Sequence, residues 1–349
     1  MARYKEYGYD IQDGKAIIPE WETEIKEGAF EYCKELTSVE FPQWIKKIGI
    51  DAFRGCSSLT EITLPEWVEE IGERVFSGCF NLTSITIPPS VTEIGGMAFS
   101  DCSSLTSISI PPSVTVIGSS AFSGCSSLRS ISIPPSVTKI GEDAFYGCSS
   151  LTSISIPPSV TKIGEWAFSD CSNLTSITIP PSVTEIGDGA FYGCSSLTSI
   201  TIPPSVTVIG SSAFYGCSSL TSITVSKDNK VYDSRENCNA IIHTESNTLI
   251  RGCENTIIPP SVTEIGEYAF WGCSSLQSIT IPPSVKKIGK DAFSGCSNLT
   301  SISIPQSVTE IEYRAFWYCS SLTEVRIPKG CEVDGSAFED CPKVQIICY

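Results

Sequence analysis

One histidine, His243, is the whole imidazole supply of this chain. A Ser-His-acid or Cys-His site would have to use it. It stands beside Thr244 and Glu245 in a stretch that reads as surface or strand edge, so neither site is expected. Paired HxxxH, CxxC, EF-hand and Gly-rich phosphate motifs are also missing, which leaves no expected metal or cofactor. Basic residues are scarce: 23 Lys and Arg against 39 Asp and Glu give a net charge of −16. That is the wrong sign for neutralising phosphates, so nucleic acid is not an expected partner. No apolar run approaches the roughly 20 residues that cross a bilayer, and no apolar stretch follows Met1-Ala-Arg-Tyr-Lys-Glu as a leader requires. Membrane insertion is therefore not expected. A cytoplasmic location is the expectation for the chain as it stands, with the cell surface or secretion as the alternative if a leader has been removed.

Cysteine, by contrast, is abundant and regular. Of 17 cysteines, Cys33, Cys56, Cys79, Cys102, Cys125, Cys148, Cys171, Cys194 and Cys217 stand 23 residues apart, and Cys273, Cys296 and Cys319 resume the count after one interruption, with Cys341 following 22 residues on. A fixed period of this size marks a solenoid, in which each repeat is one supersecondary unit stacked on its neighbours. Equivalent cysteines then form a column of small buried hydrophobes pointing the same way, a poor arrangement for disulfides, and buried thiols are expected. Cys238, Cys253, Cys331 and Cys348 fall outside that column. Cys238 and Cys253 flank an insertion, where a bridge and two plain core residues are the alternatives.

Read from Leu105, one unit places Leu105, Ile108 and Ile110 at the spacing of a strand, and Pro111-Pro112 ends it because proline cannot donate to a ladder. Val114, Ile117, Ala121, Phe122 and Cys125 form a second apolar set. Gly118 and its equivalents, among them Gly49, Gly95, Gly141 and Gly289, mark a backbone conformation or a close contact that a side chain would spoil. Each unit is thus expected to be one coil with two extended edges and two turns. Ordering one coil costs more than its inward side chains return, so the coils must stack to fold.

The pattern LxxIxIPxxVxxIGxxAFxxC, carried from Ile17 to Cys341, resembles the BspA-like subgroup of leucine-rich repeats. The resemblance implies a leucine-rich-repeat solenoid, right-handed and curved, β-rich with short turns and little regular helix. It also implies an association with surface adhesion and with host matrix proteins. Residues 1–16 are expected to cap the first unit, whose apolar set is read as Trp21, Ile25, Ala29, Phe30 and Cys33. Repeats of 23 residues fill 17–343, and 344–349 form a C-terminal capping strand. From Cys217 to Cys273 is 56 residues, one repeat plus a 33-residue insertion at about 226–258. There Ala240-Ile-Ile-His243 and Thr248-Leu-Ile-Arg251 flank a turn and read as a β-hairpin, and Thr256-Ile-Ile-Pro259 returns the chain to the repeat strand. The stretch from Val231 to Ala240 with this hairpin resembles an insertion that recurs in BspA-like proteins. A structural excursion and a dedicated ligand loop are its two readings.

Repeats offer an internal comparison: positions that change from coil to coil are open to encode recognition. The residue before the Ile-Gly isoleucine alternates, as in Glu93, Val116, Lys139 and Glu185. Just after the phenylalanine stand Tyr146, Tyr192, Tyr215, Trp271 and Trp317, with Tyr318 beside the last. Trp166, Tyr268, Tyr313 and Arg314 follow the glycine position. Stacked coils would align these into aromatic rows edged by charge, in the residue types that dominate binding hot spots. The competing reading is that they only cover the turn. The expected function is a non-enzymatic binding or adhesion-type protein that docks a protein partner on an extended face, with host extracellular-matrix or surface proteins the class implied by the resemblance. A glycan ranks behind. The alternative is a structural or self-assembling scaffold, natural or engineered, with no specific ligand.

Overall fold

The computed structural model describes residues 3–349 and comprises two compact units, Met1–Phe191 and Tyr192–Tyr349. In the first unit each coil carries two short strands, as in Ser107–Ser109 and Val116–Ile117. The 23-residue period sets like against like in parallel ladders, with Ile108 opposite Ile131 and Ile117 opposite Ile140. Alternation along Ser107–Ser109 turns Ile108 inward and both serines to solvent. A third edge, not legible in the sequence, joins successive coils through the AF segment. There the Phe99 N–H donates to the Ala121 carbonyl at 2.8 Å, and Met97 and Asp101 donate to Ser119 and Ser123 on either side.

The core is a set of side-chain columns. Phe30, Phe53, Phe76, Phe99, Phe122, Phe145, Phe168 and Phe191 stack face to face with ring centroids 5.3–5.7 Å apart. Tyr4 and Tyr9 continue the column beyond Phe30, stacked at 5.9 and 5.5 Å, beneath an antiparallel hairpin of Asp10–Gln12 and Lys15–Ile17. That expected cap includes residues 1 and 2, which lie outside the described residues. The cysteines are thiols, and no disulfide forms among the described residues. Each column thiol from Cys56 to Cys171 donates to the phenylalanine carbonyl of the preceding coil at 3.1–3.2 Å. Burial pushes these thiols up, Cys33 to about 11 and Cys79 and Cys171 to about 12, because a thiolate would be desolvated there.

Outside, the serine before each valine has a structural task. Ser90, Ser113, Ser136, Ser159 and Ser182 donate to the valine carbonyl of the preceding coil at 2.5–2.7 Å. Gly118 is required by close approach: a Cβ there would meet the Gly96 nitrogen at 2.6 Å, while its own φ is not left-handed. Left-handed backbone falls instead at two other points of the coil, two residues after that glycine (Arg74, Met97, Ser120, Trp166) and just before the cysteine (Gly78, Gly124, Asp170). Trp21 corrects the expectation that placed it in the first core: it is 80% exposed. It occupies the serine slot, while Glu22 stands in the inward slot filled by Ile45 and Val68 in the next coils, which blurs the register.

In the second unit Phe270, Phe293, Phe316 and Phe338 stack at 4.9–5.1 Å. The insertion forms the expected hairpin, Ile241–His243 antiparallel to Thr248–Arg251. Its second strand then joins the parallel ladder, with Leu249 opposite Ile265. Gly252 takes a phenylalanine's place, donating to the Ala269 carbonyl at 2.8 Å and leaving room for the Phe270 ring, which a Cβ would meet at 2.3 Å. Side chains end the preceding ladders: the Ile209 N–H donates to the Tyr232 hydroxyl at 3.1 Å, and the Ile223 N–H to Asn239 Oδ1 at 2.6 Å. Cys238 and Cys253 are buried and unbridged, with Asn239 Nδ2 donating to Cys253 Sγ at 3.2 Å. The stretch Thr256-Ile-Ile-Pro259 returns the chain to the repeat without forming a regular strand, and Ile257 faces solvent. At the far end Gln345–Cys348 pairs with Glu324–Ile327 and leaves all four of its own residues exposed.

Candidate binding surface

The aromatics singled out in the sequence divide into separate groups. In the first unit Tyr146 projects to solvent, 41% exposed. Trp166 sits at a left-handed position, φ 53°, and lies over Gly189, where a Cβ would meet its Cε3 at 2.4 Å. Holding a tryptophan there costs about 1–2 kcal/mol of backbone strain.

In the second unit the cluster around Tyr215 is half-buried. Tyr215 stacks on Tyr192 at 4.6 Å and on Trp271 at 3.6 Å, and Tyr268 meets it edge-on at 5.3 Å. Trp271 thereby reaches Tyr215 across the 33 residues that separate them beyond one repeat in the sequence. Burial raises the Tyr215 phenol well above its usual value. A residue that sequence reasoning missed anchors this cluster from beneath. Arg251 is buried, and its guanidinium donates to the carbonyls of Tyr268, Trp271 and Cys217 at 3.2–3.3 Å. A buried cation whose terminal nitrogens bond only to carbonyls fixes the backbone that carries the aromatics. The aromatic rings here spend much of their area on one another.

The second cluster is presented to solvent. Tyr313 is 43% and Tyr318 54% exposed. Arg314 lies 5.0 Å from the Tyr313 ring centroid and 5.3 Å from that of Trp317, in cation–π range of both, with Glu339 at 3.4 Å. The Trp317 indole N–H donates to Asp340 Oδ2 at 2.9 Å. Beside Tyr318 a cleft of about 510 Å³ is lined by Ser320, Phe338, Asp340, Cys341 and Pro342. Rigid aromatics with an arginine held between them match the composition of interface hot spots.

The alternating column before the isoleucine is in part scaffold. Lys162 pairs with Glu185 at 2.9 Å and Lys287 with Glu310 at 3.5 Å, opposite residues on adjacent strands. Such exposed pairs contribute about 0–1 kcal/mol, but they relieve like-charge repulsion along the ladder. His243 faces Ser246, with its Nδ1 2.9 Å from the hydroxyl, inside the insertion turn. Among the described residues no group of three His, Cys, Asp or Glu side chains is gathered to hold a metal, and no helix is long and apolar enough to cross a membrane.

The model of the BspA type leucine-rich repeat region, which spans six copies, matches residues 23–152, 138–249 and 242–348. The chain belongs to the BspA-type leucine-rich repeat family. Among solved structures, a leucine-rich repeat protein from Bacteroides ovatus is 30% identical, with 97% of each chain covered and a TM-score of 0.68. A leucine rich cell surface protein from Faecalibacterium prausnitzii is 29% identical over 98% of this BspA-type chain and 92% of its own, at a TM-score of 0.60. A leucine-rich repeat protein from Eubacterium ventriosum shares the fold at 23% identity, 94% and 90% coverage and a TM-score of 0.53. No functionally curated protein matches the sequence.

Proposed function

We propose that this BspA-type protein is a non-enzymatic binding protein that docks a protein partner on the surface formed by Tyr313, Arg314, Trp317 and Tyr318. The observation that carries the proposal is the exposed pair Tyr313 and Tyr318, with Arg314 held between the Tyr313 and Trp317 rings. Two exposed tyrosines on a rigid scaffold bury large area at little entropic cost, and the adjoining cleft receives a projecting side chain. The Tyr192, Tyr215 and Trp271 stack plays a supporting part, since its faces are already covered. That a Faecalibacterium relative is a cell surface protein supports a surface-adhesion setting with host matrix or surface proteins as the partner class.

The test is binding of the full chain to an array of immobilised extracellular-matrix proteins, compared with the Tyr313→Ala/Tyr318→Ala double variant. Loss of about tenfold or more in affinity is expected, from two hot-spot truncations of about 1 kcal/mol or more each. Equal binding by the double variant contradicts the proposal. One observation favours a self-assembling scaffold instead: Gln345–Cys348 is an outer strand with Ile346 and Ile347 exposed. Mass that grows with concentration in light scattering, together with no signal on the array, would decide for that reading.

A further inference from the structure

Trp21, Trp44 and Trp67 recur at the 23-residue period, in the slot that Ser90, Ser113, Ser136, Ser159 and Ser182 occupy in the following coils. The serine is the structural choice there, because its hydroxyl closes a bond to the valine carbonyl of the coil before it. Tryptophan forgoes that bond. The three indoles are 80%, 58% and 58% exposed, and none has a hydrogen bond or a ring contact among the described residues. A scaffold does not need three large apolar rings turned to water in consecutive coils, and such a row on one face marks an interaction site.

Charge identifies what the row fits. The residue before each tryptophan, also in column, is Glu20, Gln43 or Glu66, and all three are exposed. Glu69, two residues beyond Trp67, is exposed as well, and among the described residues none of the carboxylates of Glu20, Glu66 and Glu69 has an ion pair. Lys46, beside Trp44, is the single cation of the adjoining column, where Thr23 and Glu69 complete the set. Between Phe41, Gln43, Pro65, Glu66 and Trp67 runs a groove of about 550 Å³. Indole faces attract cations more strongly than any other aromatic ring does, and neighbouring carboxylates add to that attraction. The net charge of −16 draws a cationic partner toward the molecule at long range.

We infer that Trp21, Trp44 and Trp67 form a second docking surface, separate from the tyrosine–arginine cluster, for an extended basic segment whose Arg or Lys side chains lie over the indoles and between the carboxylates. The successive coils present equivalent rings in parallel register, so the segment runs along the column of coils with one cation for each tryptophan. The surface needs no conformational change, since the rings are already exposed.

The test uses the full chain and a synthetic octa-arginine peptide, titrated by tryptophan fluorescence and calorimetry at low and at physiological salt. The Trp21→Ser/Trp44→Ser/Trp67→Ser variant keeps the net charge and installs the residue that the scaffold itself uses. It is expected to bind about tenfold to a hundredfold more weakly, the sum of three exposed cation–π contacts. The Glu20→Gln/Glu66→Gln/Glu69→Gln variant keeps the rings and is expected to show weaker binding with a reduced salt dependence. Should the triple serine variant fold poorly, the single Trp21→Ser variant, at the most exposed ring, carries the same comparison at a loss of about threefold. Octa-arginine affinity unchanged in the serine variants would show attraction by bulk charge alone and would overturn the inference. Saturation of the indoles by an uncharged cello-oligosaccharide in place of octa-arginine would also overturn it, in favour of a glycan surface.

Discussion

The coils bearing Trp21, Trp44 and Trp67 and the coils bearing Ser113, Ser136 and Ser159 share one interior. Phe53 and Phe145 both stand in the same stacked column, and Cys79 and Cys171 both donate to a phenylalanine carbonyl of the preceding coil at 3.2 Å. Among the slots at which their outer faces differ, one holds tryptophan in one set and a hydrogen-bonded serine in the other. The difference separates what the scaffold requires from what it merely carries. An inward position belongs to a column shared with the coils stacked on it, whereas an outward one costs at most a local bond. A repeat is therefore free to depart from its neighbours on its outer face at no cost to the core.

The comparison breaks if the two sets of coils unfold differently, and the largest test of this is alkaline unfolding. The pKa of Cys79 and Cys171 is raised to about 12 in the folded chain, above the usual thiol value. Each thiol stays protonated longer in the folded state than in the unfolded one. Stability is therefore fully present below about pH 9 and falls as pH rises from there toward 12, by up to about 1.4 kcal/mol per pH unit for each buried thiol. Several thiols of the column contribute to this loss. Urea unfolding followed at pH 8 and at pH 10.5 or so should show a loss of several kcal/mol, shared by tryptophan and serine coils alike. A midpoint independent of pH would contradict the thiol column.

A smaller effect tests the aromatic column. Phe76→Ala and Phe145→Ala should each cost about 3–5 kcal/mol by urea denaturation, and the two values should agree to within about 1 kcal/mol. Each ring is fully buried between two stacked neighbours. A cost confined to one of them would mean that the two sets of coils are packed differently.

Much of this was legible in the chain because a strict period repeats each signal. The paired strands, the thiol column and the insertion hairpin follow from spacing and residue type, while at Gly118 the sequence left a special conformation and a close contact open and the structure decides for the contact. Other features left no such trace. The left-handed positions two residues after the repeat glycine carry Arg74, Met97, Ser120 and Trp166 beside Asp51, Asp143 and Gly189, so residue type does not mark them. Nothing in the sequence sets Arg251 apart from the rest of its hairpin strand, and the carbonyls of Tyr268, Trp271 and Cys217 that it bonds are gathered only by the fold. Trp21 reads as core because its coil is the most divergent, and the same divergence hid the row that it begins. A search for apolar residues at the period, made slot by slot rather than by motif, would have found that row. The aromatics after the phenylalanine were visible as a column, but whether a ring spends its face on a neighbour, as Tyr215 does, or offers it to solvent, as Tyr318 does, depends on contacts across coils.

The smallest expected effect bears most directly on the claim that scaffold and recognition are separable. Urea denaturation of the Trp21→Ser/Trp44→Ser/Trp67→Ser variant, set beside Ser136→Ala, measures both kinds of outer slot. Ser136→Ala should lose about 1 kcal/mol with its bond to the Val114 carbonyl. The triple variant should be as stable as the parent chain to within about 0.5 kcal/mol, or more stable where the new hydroxyls close that bond. A loss of about 2 kcal/mol or more would show that the tryptophans hold the coils together, and would contradict the separation of a shared interior from a face free to bind.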